Sequence, residues 1–249
     1  MFLLRIEIMR LILAFLIFGY SVHSVYGLDT ISSPPANEEV VRRLRAILPE
    51  NPIIVEAGTY DGQDTMELSR LLPKAKIYTL EPVPELFNKS VKRLESFSNI
   101  RIYNYALSDR TGVANMYLSE QKGTEGIVSM SSSLLAPKEH LDYSPDTLFK
   151  NIIEVQTTTI DDWAEKNSIA AIDVLKLDIQ GNELNVLMAS PKTMSTVKAI
   201  LTEVEFVEAY EGQYLFEDIK TWMEDQGFEL DTLFLAFGWF GDALFIRKQ

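Results

Sequence analysis

Cysteine is absent from the 249 residues of the chain. Its absence excludes disulfide bonds, thiolate catalysis and zinc sites with cysteine ligands, and a chain without cysteine tolerates export. Basic residues are few as well: 23 lysines and arginines stand against 36 acidic residues, so the net charge is −13. A surface of this charge disfavours nucleic acid and anionic membranes as partners. The remaining composition, with 47% hydrophobic residues and no internal repeat, suits one globular α/β domain.

One long apolar stretch, Leu11 to Val22, follows Arg5 and Arg10 near the start of the chain. Val25 and Gly27 have the side chains expected before a cleavage site, so residues 1–27 are predicted to be a signal peptide. The stretch is shorter than the roughly 20 residues that span a bilayer, which favours a cleaved signal peptide. A signal anchor and a buried N-terminal helix are the alternative interpretations. We therefore expect an exported or membrane-anchored protein, whose domain faces the cytosol if the segment is an uncleaved anchor.

The next segments are a linker with an N-terminal helix, residues 28–51, and a main domain, residues 52–249. The main domain opens with the sequence IIVEAGTYDG, Ile53 to Gly62, in which an apolar strand runs into a glycine turn and an amphipathic helix. Glu56 interrupts the apolar strand near its carboxyl end, where open α/β sheets bind ligands. Gly58 and Gly62 let the backbone approach such a ligand. The alternative is a structural turn without a ligand.

A second acid, Glu81, follows the predicted strand Lys76–Leu80 and precedes a helix that starts at Pro84. It lies 23 residues after Gly58, about where nucleoside-binding folds place the acid that accepts the ribose hydroxyls. A solvent-exposed carboxylate that caps the following helix is the alternative.

Later strands are predicted from apolar or alternating runs at 100–107, 113–118, 152–159, 172–177, 197–206, 228–235 and 243–247. Residues 119–151 are rich in serine, glycine and proline and are predicted to be a lid, a binding loop or a disordered segment. They contain His140, a general base or, as for most loop histidines, an inert residue. Lys176 and Asp178, two residues apart in KLDIQGNE, point to the same side of their strand and must pair or bind something.

Six motifs, in this order and spacing, resemble the FkbM-type S-adenosylmethionine-dependent methyltransferases over about residues 52–230: VEAGTYDGQDT, YTLEPVPELF, YALSDRTG, TTTIDDW, IDVLKLDIQGNELNVL and ILTEVEF. The resemblance implies a Rossmann-like class I methyltransferase fold. Its seven-stranded, mostly parallel sheet would have the order 3-2-1-4-5-7-6, an antiparallel last strand and helices on both faces. The implied reaction is methyl transfer to an oxygen, with a hydroxyl of a sugar or other small molecule as acceptor.

The resemblance also implies roles for individual residues. The cofactor-binding residues would be Glu56, Gly58, Asp61, Glu81, Ala106, Leu107 and Asp109, and the catalytic residues Asp178 and Lys176. Tyr60 and Gln180 depart from the family, which often has Asn and Glu at these positions.

The same fold would place the predicted strands 172–177 and 197–206 side by side, and Asp178 near Glu203 or Glu205. When two carboxylates lie this close, ionising both is unfavourable, so the pKa of one of them is raised. Asp178 could then be a general base with a raised pKa, part of a structural network with Lys176, or, with Glu203, a ligand of a divalent cation. We rank the base or substrate-positioning role first and the metal second.

Two other functions remain open. A dinucleotide-dependent oxidoreductase would share Glu81 and the glycine turn, but GTYDG lacks the G-x-G-x-x-G spacing. A non-catalytic binding protein on a methyltransferase fold is favoured by the export signal, because the methyl donor is made in the cytosol.

Overall fold

The computed structural model describes residues 29–31, 37–236 and 238–248 of the chain. The predicted signal or anchor segment, residues 1–27, lies outside the described residues, and so do residues 28 and 32–36 of the predicted linker. Within the part that is described, no helix combines the length and the apolar character needed to cross a bilayer.

The described residues form a main sheet of eight strands, a small sheet of three strands and eight helices. The strands of the main sheet are β1 (Asp29–Ile31), β2 (Ile53–Ala57), β3 (Lys76–Leu80), β4 (Ile100–Tyr103), β8 (Val174–Leu177), β9 (Ala199–Glu205), β10 (Phe228–Leu235) and β11 (Phe240–Arg247). The small sheet contains β5 (Ala106–Leu107), β6 (Gly112–Gln121) and β7 (Thr147–Thr158). The helices are α1 (Asn37–Leu44), α2 (Gln63–Leu71), α3 (Pro84–Leu94), α4 (His140–Tyr143), α5 (Ile160–Lys166), α6 (Glu183–Met188), α7 (Pro191–Met194) and α8 (Phe216–Asp225).

The main sheet has the order β1-β10-β11-β9-β8-β2-β3-β4. Only β11 runs antiparallel to its neighbours, β9 and β10, and every other pair in this sheet is parallel. Counted from β2 along the chain and without β1, β5, β6 and β7, the order is 3-2-1-4-5-7-6. The predicted α/β class is therefore confirmed, and seven of the eight strands follow the predicted order, with β11 antiparallel.

The predicted number of seven strands is wrong, because β1 adds an eighth at the edge of the sheet. Asp29 to Ile31 belong to the segment predicted to be a linker, yet their backbone pairs in parallel with Thr232 to Phe234 of β10. The added strand covers hydrogen-bonding groups that β10 would otherwise leave open at the sheet edge.

The single strand predicted at residues 100–107 is also wrong, because the chain changes sheet within it. β4 pairs with β3 in the main sheet, whereas β5 pairs with β7 in the small one. Asn104 lies between β4 and β5, and its side-chain amide donates to the carbonyl oxygens of Glu81 at 2.8 Å and of Pro82 at 2.9 Å. These bonds fix the change of direction beside the end of β3.

Residues 122–146, here called the flap, connect β6 to β7. The loop predicted at 119–151 is shorter than expected, because β6 extends to Gln121 and β7 begins at Thr147. The flap is also ordered: the amide of Ser129 donates to the carbonyl of Ser119 at 2.7 Å, and Ser133 and Tyr117 exchange two backbone bonds. Of the three predicted possibilities, disorder is therefore wrong.

Two apolar clusters lie on opposite faces of the main sheet, since successive side chains of a strand alternate. Val55 of β2 belongs to the cluster that includes Trp163 and Phe216, and Ile54 to the cluster that includes Val41. Each such side chain stabilises the fold by about 1.5–3 kcal/mol when it is fully buried. This packing on both faces fixes the carboxyl ends of β2, β3 and β8, where the cleft opens.

Candidate active site

A cleft of about 320 Å³ opens at the carboxyl ends of β2, β3 and β8 and beneath the flap. This is the edge of a parallel sheet at which α/β proteins bind nucleotides, and the volume is that of a small-molecule site. Its walls combine the glycine turn after β2, the acid after β3, the start of the small sheet, the end of β8 and part of the flap.

Gly58 lies where the turn after β2 packs tightly against Asp178, the residue that follows β8. Its φ of +89° lies in the region that favours glycine, and a Cβ at this position would overlap the carbonyl oxygen of Asp178. The amide of Asp178 in turn donates to the carbonyl of Ala57 at 3.0 Å. Gly58 lines the cleft, as predicted, and the lack of a side chain there brings Asp178 to its floor.

Glu81 is buried at the cleft wall, with only 4% of its surface exposed. One carboxylate oxygen accepts from the amide of Tyr60 at 2.9 Å and the other from the amide of Val83 at 2.9 Å. Burial raises the pKa of Glu81 to about 7, although both hydrogen bonds act in the opposite direction. The alternative of a solvent-exposed capping carboxylate is therefore wrong.

Glu56 does not line the cleft, so a direct contact with the cofactor is not supported. It is 1% exposed, and its carboxylate accepts from Lys176 Nζ at 2.8 Å and from the hydroxyls of Thr65 and Thr79. An acid inside an apolar strand needs such partners, and here they hold Lys176 in place.

Lys176 and Asp61 do line the cleft. Lys176 reaches Asp64 at 3.2 Å in addition to Glu56. Burial acts to lower the pKa of Lys176, but the charges of Glu56, Asp64 and Asp178 outweigh it and raise the pKa above its usual range. Lys176 is thus a fixed positive charge. Asp61 pairs with Arg93 at 2.9 Å.

Ala106 and Leu107 lie in the cleft wall beside Tyr105, as expected for residues that border a base. Asp109 does not. It is exposed, and its carboxylate contacts Ser108 Oγ at 3.1 Å and lies 3.8 Å from Arg110. The chain turns away from the cleft after β5 to enter β6, so the predicted contact of Asp109 with the cofactor is not supported.

Asp178 stands at the cleft floor, and its side chain is open to the cleft. The amide of Gln180 donates to Asp178 Oδ1 at 2.8 Å and to Glu203 Oε2 at 2.5 Å. Although the side chain is open to the cleft, desolvation by the protein around the cleft raises the pKa of Asp178, while hydrogen bonds with Gln180 and Glu203 and the charge of Lys176 oppose the rise. The predicted proximity of Asp178 and Glu203 is therefore confirmed, but the hydrogen bonds of Lys176 go to Glu56 and Asp64.

Glu203 and Glu205 are buried behind Asp178 and do not line the cleft. Burial raises the pKa of both well above the usual range, and neighbouring acids add to the effect. Among the described residues, no group of three or more acidic or histidine side chains is arranged to hold a metal ion. The alternative of a divalent cation at Asp178 and Glu203 thus has no support in the geometry.

His140 is 2% exposed and lies outside the cleft, so the general-base role considered for it is not supported. Its ring packs against Phe149, Tyr210 and Trp239, each with a centroid distance of 5.4 Å. Burial lowers the pKa of His140. The residue is part of an aromatic cluster that supports the flap.

Several cleft residues were not predicted from the sequence: Tyr60, Tyr105, Met116, Ser129, Met130, Ser132 and Leu134. Those of the flap lie in or near the run SMSSS, residues 129–133, which has no apolar periodicity. The only available signal was its richness in serine, which is common to loops of many kinds.

The profile of the methyltransferase FkbM domain matches residues 56–230. The chain belongs to the FkbM methyltransferase family. It is 30% identical over 186 residues to the 2-O-methyltransferase NoeI of Sinorhizobium fredii, covering 74% of this chain and 76% of that protein. It is 20% identical over 185 residues to the hexuronic acid methyltransferase AglP of Haloferax volcanii, covering 74% and 69%. Among solved structures, a SAM-dependent methyltransferase from Aquifex aeolicus aligns with a TM-score of 0.44 and 11% identity, covering 85% and 89%.

This member of the FkbM family is thus an S-adenosylmethionine-dependent methyltransferase. The oxidoreductase and the non-catalytic binding protein considered from the sequence are not supported. The cleft fits the cofactor: a buried acid stands where ribose hydroxyls need an acceptor, a glycine turn gives close backbone approach, and Ala106 and Leu107 offer an apolar wall.

Proposed function

We propose that this FkbM methyltransferase methylates a hydroxyl group of a sugar. The observation that carries the proposal is the position of Asp178, a carboxylate open to the floor of the cleft beside a fixed lysine charge. Two relatives, a 2-O-methyltransferase and a hexuronic acid methyltransferase, support an oxygen acceptor on a sugar.

Glu81 and the glycine turn are the proposed cofactor ligands. The carboxylate of Glu81 already accepts two backbone amides, and each oxygen retains a lone pair for a ribose hydroxyl. Tyr105, Ala106 and Leu107 would border the adenine, and Gly58 the methionine part. Bound S-adenosylmethionine supplies an electrophilic methyl group on a sulfonium cation.

Asp178 is the proposed proton acceptor for the sugar hydroxyl. Methyl transfer to a neutral hydroxyl releases a proton, and a positioned carboxylate can take it up as the bond forms. Lys176 is protonated and cannot act as a base, but its charge opposes the rise in the pKa of Asp178. We therefore assign Lys176 to keeping Asp178 ionised.

The flap is the proposed binding surface for the sugar. Ser129 and Ser132 bring hydroxyl groups to the lining of the cleft, which also includes Asp178. Such groups can exchange hydrogen bonds with several sugar hydroxyls and so orient one of them towards the base. Met130 also lines the cleft and is 71% exposed, which suits the apolar face of a sugar ring.

The test is methyl transfer from S-adenosylmethionine with a labelled methyl group to a panel of neutral sugars, hexuronic acids and oligosaccharides. We expect a product that carries one added methyl ether, identified by mass spectrometry. Asp178→Asn should abolish most of this product, whereas Asp225→Asn, an exposed control at the end of α8, should not. Methylation of nitrogen or of a nucleic acid, with no sugar product, would contradict the proposal.

We further propose that residues 1–27 direct the protein to a membrane, as a signal peptide or as an anchor. Arg5 and Arg10 before the apolar stretch 11–22 support this proposal. An uncleaved anchor with the domain on the cytosolic side agrees best with a donor that is made in the cytosol. Sequencing the N-terminus of the mature protein, together with protease accessibility of the membrane fraction, distinguishes the two. A full-length protein found entirely in the soluble fraction would refute both.

A further inference from the structure

Gln180 has an unusual backbone conformation for a residue other than glycine. Its φ is +57°, in the left-handed region that costs such residues roughly 1–2 kcal/mol. It stands in the turn between β8 and α6, two residues after Asp178. A strained residue in such a turn persists only where its surroundings hold it, and strain of this kind clusters at functional sites.

The side chain of Gln180 connects three parts of the site. Its amide nitrogen bridges Asp178 and Glu203 at 2.8 and 2.5 Å. Its amide oxygen accepts from Tyr210 Oη at 2.8 Å, and that hydroxyl also lies 3.0 Å from the carbonyl of Ser131 in the flap. The backbone carbonyl of Gln180 accepts from Ser133 Oγ at 2.7 Å. Gln180 therefore joins the end of β8, the middle of the sheet and the flap.

Asp178 is surrounded by acids, and the amide of Gln180 is an uncharged donor to its carboxylate. Hydrogen bonding with Glu203 also acts to lower the pKa of Asp178. The charged and titratable groups that face Asp178 from the neighbouring elements are Asp64 on α2, Glu81 after β3, Lys176 on β8, Glu183 on α6, Glu203 on β9, Glu205 at its end, Tyr210 before α8 and Asp242 on β11. Neighbouring carboxylates favour the protonated form of Asp178, whereas hydrogen bonds to the carboxylate favour the ionised form. An amide adds such a bond without adding charge.

We propose that Gln180 is a positioning residue that, together with the charge of Lys176, keeps Asp178 ionised and orients it as the proton acceptor. The inference rests on the proposed function of Asp178. This role also explains why position 180 is a glutamine. A glutamate at position 180 could still accept the hydrogen bond from Tyr210, but a carboxylate oxygen would replace the amide that donates to Asp178. The alternative is that Gln180 only ties Tyr210 and the flap to the sheet.

The pH at which Asp178 ionises distinguishes the positioning role of Gln180 from a purely structural role. Protein labelled with ¹³C at the aspartate carboxyl carbons is titrated by NMR with S-adenosylhomocysteine present, and Asp178→Asn identifies the signal of Asp178. In Gln180→Glu we expect the Asp178 midpoint to rise by about one pH unit or more, because a stabilising bond is lost and a repelling charge is added. Tyr210→Phe removes the hydroxyl that contacts Gln180 Oε1 and the Ser131 carbonyl but leaves the Gln180 donor to Asp178 in place. In this variant the midpoint should stay within about 0.3 unit of the wild-type value.

Gln180→Ala is the second variant in case Gln180→Glu does not fold. It loses the donor without adding a charge, so the midpoint should rise, but by less than in the glutamate variant. An unchanged midpoint in these Gln180 variants, or an equal rise in Tyr210→Phe, would overturn the inference. Failure of the proposed function looks different: Asp178→Asn would retain methyl transfer to the sugar acceptor, whatever the midpoints show.

Discussion

Replacing Gly58 with alanine should damage both the fold and the cleft. The added Cβ would overlap the carbonyl oxygen of Asp178 and lie 2.8 Å from its carbonyl carbon, well inside the roughly 3.5 Å of a favourable contact. The backbone would also be held at a φ of +89°, which costs alanine roughly 1–2 kcal/mol. Overpacking of a tightly packed site adds about 1–3 kcal/mol. We therefore expect the free energy of unfolding to fall by about 3 kcal/mol or more.

Gly212→Ala is the matched control, because Gly212 has a φ of +74° but nothing within 4 Å of an added Cβ. It incurs only the conformational cost of about 1–2 kcal/mol. At roughly 2–4 °C per kcal/mol, the melting temperature should fall by several degrees in the control and by about 10 °C in Gly58→Ala. Calorimetric titration should also show S-adenosylmethionine binding retained in the control and lost in Gly58→Ala. Equal melting temperatures and equal binding in the two variants would refute the close approach of β2 and β8.

Three further predictions concern the acids. Asp178→Asn should lower turnover by about 10² or more and leave cofactor affinity within about threefold, as measured by methyl transfer and calorimetry; full turnover would exclude the base. Burial raises the pKa of Glu183 to about 8 from an unfolded value of 4.5. The folded state therefore binds the proton of Glu183 more tightly than the unfolded state does. The resulting stabilisation is fully present below pH 4.5 and is lost as the pH rises towards 8. Glu183→Gln, which does not titrate, should therefore melt higher relative to the wild type at pH 8 than at pH 5, and a constant difference would contradict this. Burial raises the pKa of Glu81 to about 7, and ribose hydroxyls need its ionised form. The affinity for S-adenosylmethionine should therefore fall about tenfold when the pH is lowered from 7 to between 5.5 and 6. Equal affinity from pH 5.5 to 8 would contradict that role.

The sequence was most informative where the signal is local. The apolar run before Gly58 and the position of Glu81 after the second strand of this unit mark a nucleotide-binding unit within 30 residues, and the structure places both at the cleft. The strand order needed the family resemblance, because periodicity does not say which strands are neighbours.

Contacts between distant parts of the chain could not be predicted. A network of Lys176 with Asp178, two residues away, was one of the predicted alternatives, but the hydrogen bonds of Lys176 go to Asp64 and to Glu56, which is 120 residues away in the sequence. The edge strand β1 pairs with residues about 200 positions later. Gln180 similarly owes its position to Glu203 and Tyr210, which come from β9 and from the loop before α8. Only the three-dimensional packing brings these groups together.

The central claim is that the cleft binds S-adenosylmethionine through Glu81 for methyl transfer. Calorimetric titration of the wild type, Glu81→Ala and Glu85→Ala tests it most directly, because Glu85 is an exposed neighbour on α3 and serves as the control. We expect saturable binding by the wild type and the control, and binding weaker by about 1.5–3 kcal/mol, or roughly 10- to 150-fold, in Glu81→Ala. No binding by the wild type at millimolar ligand, or equal affinity of Glu81→Ala and the wild type, would contradict the claim.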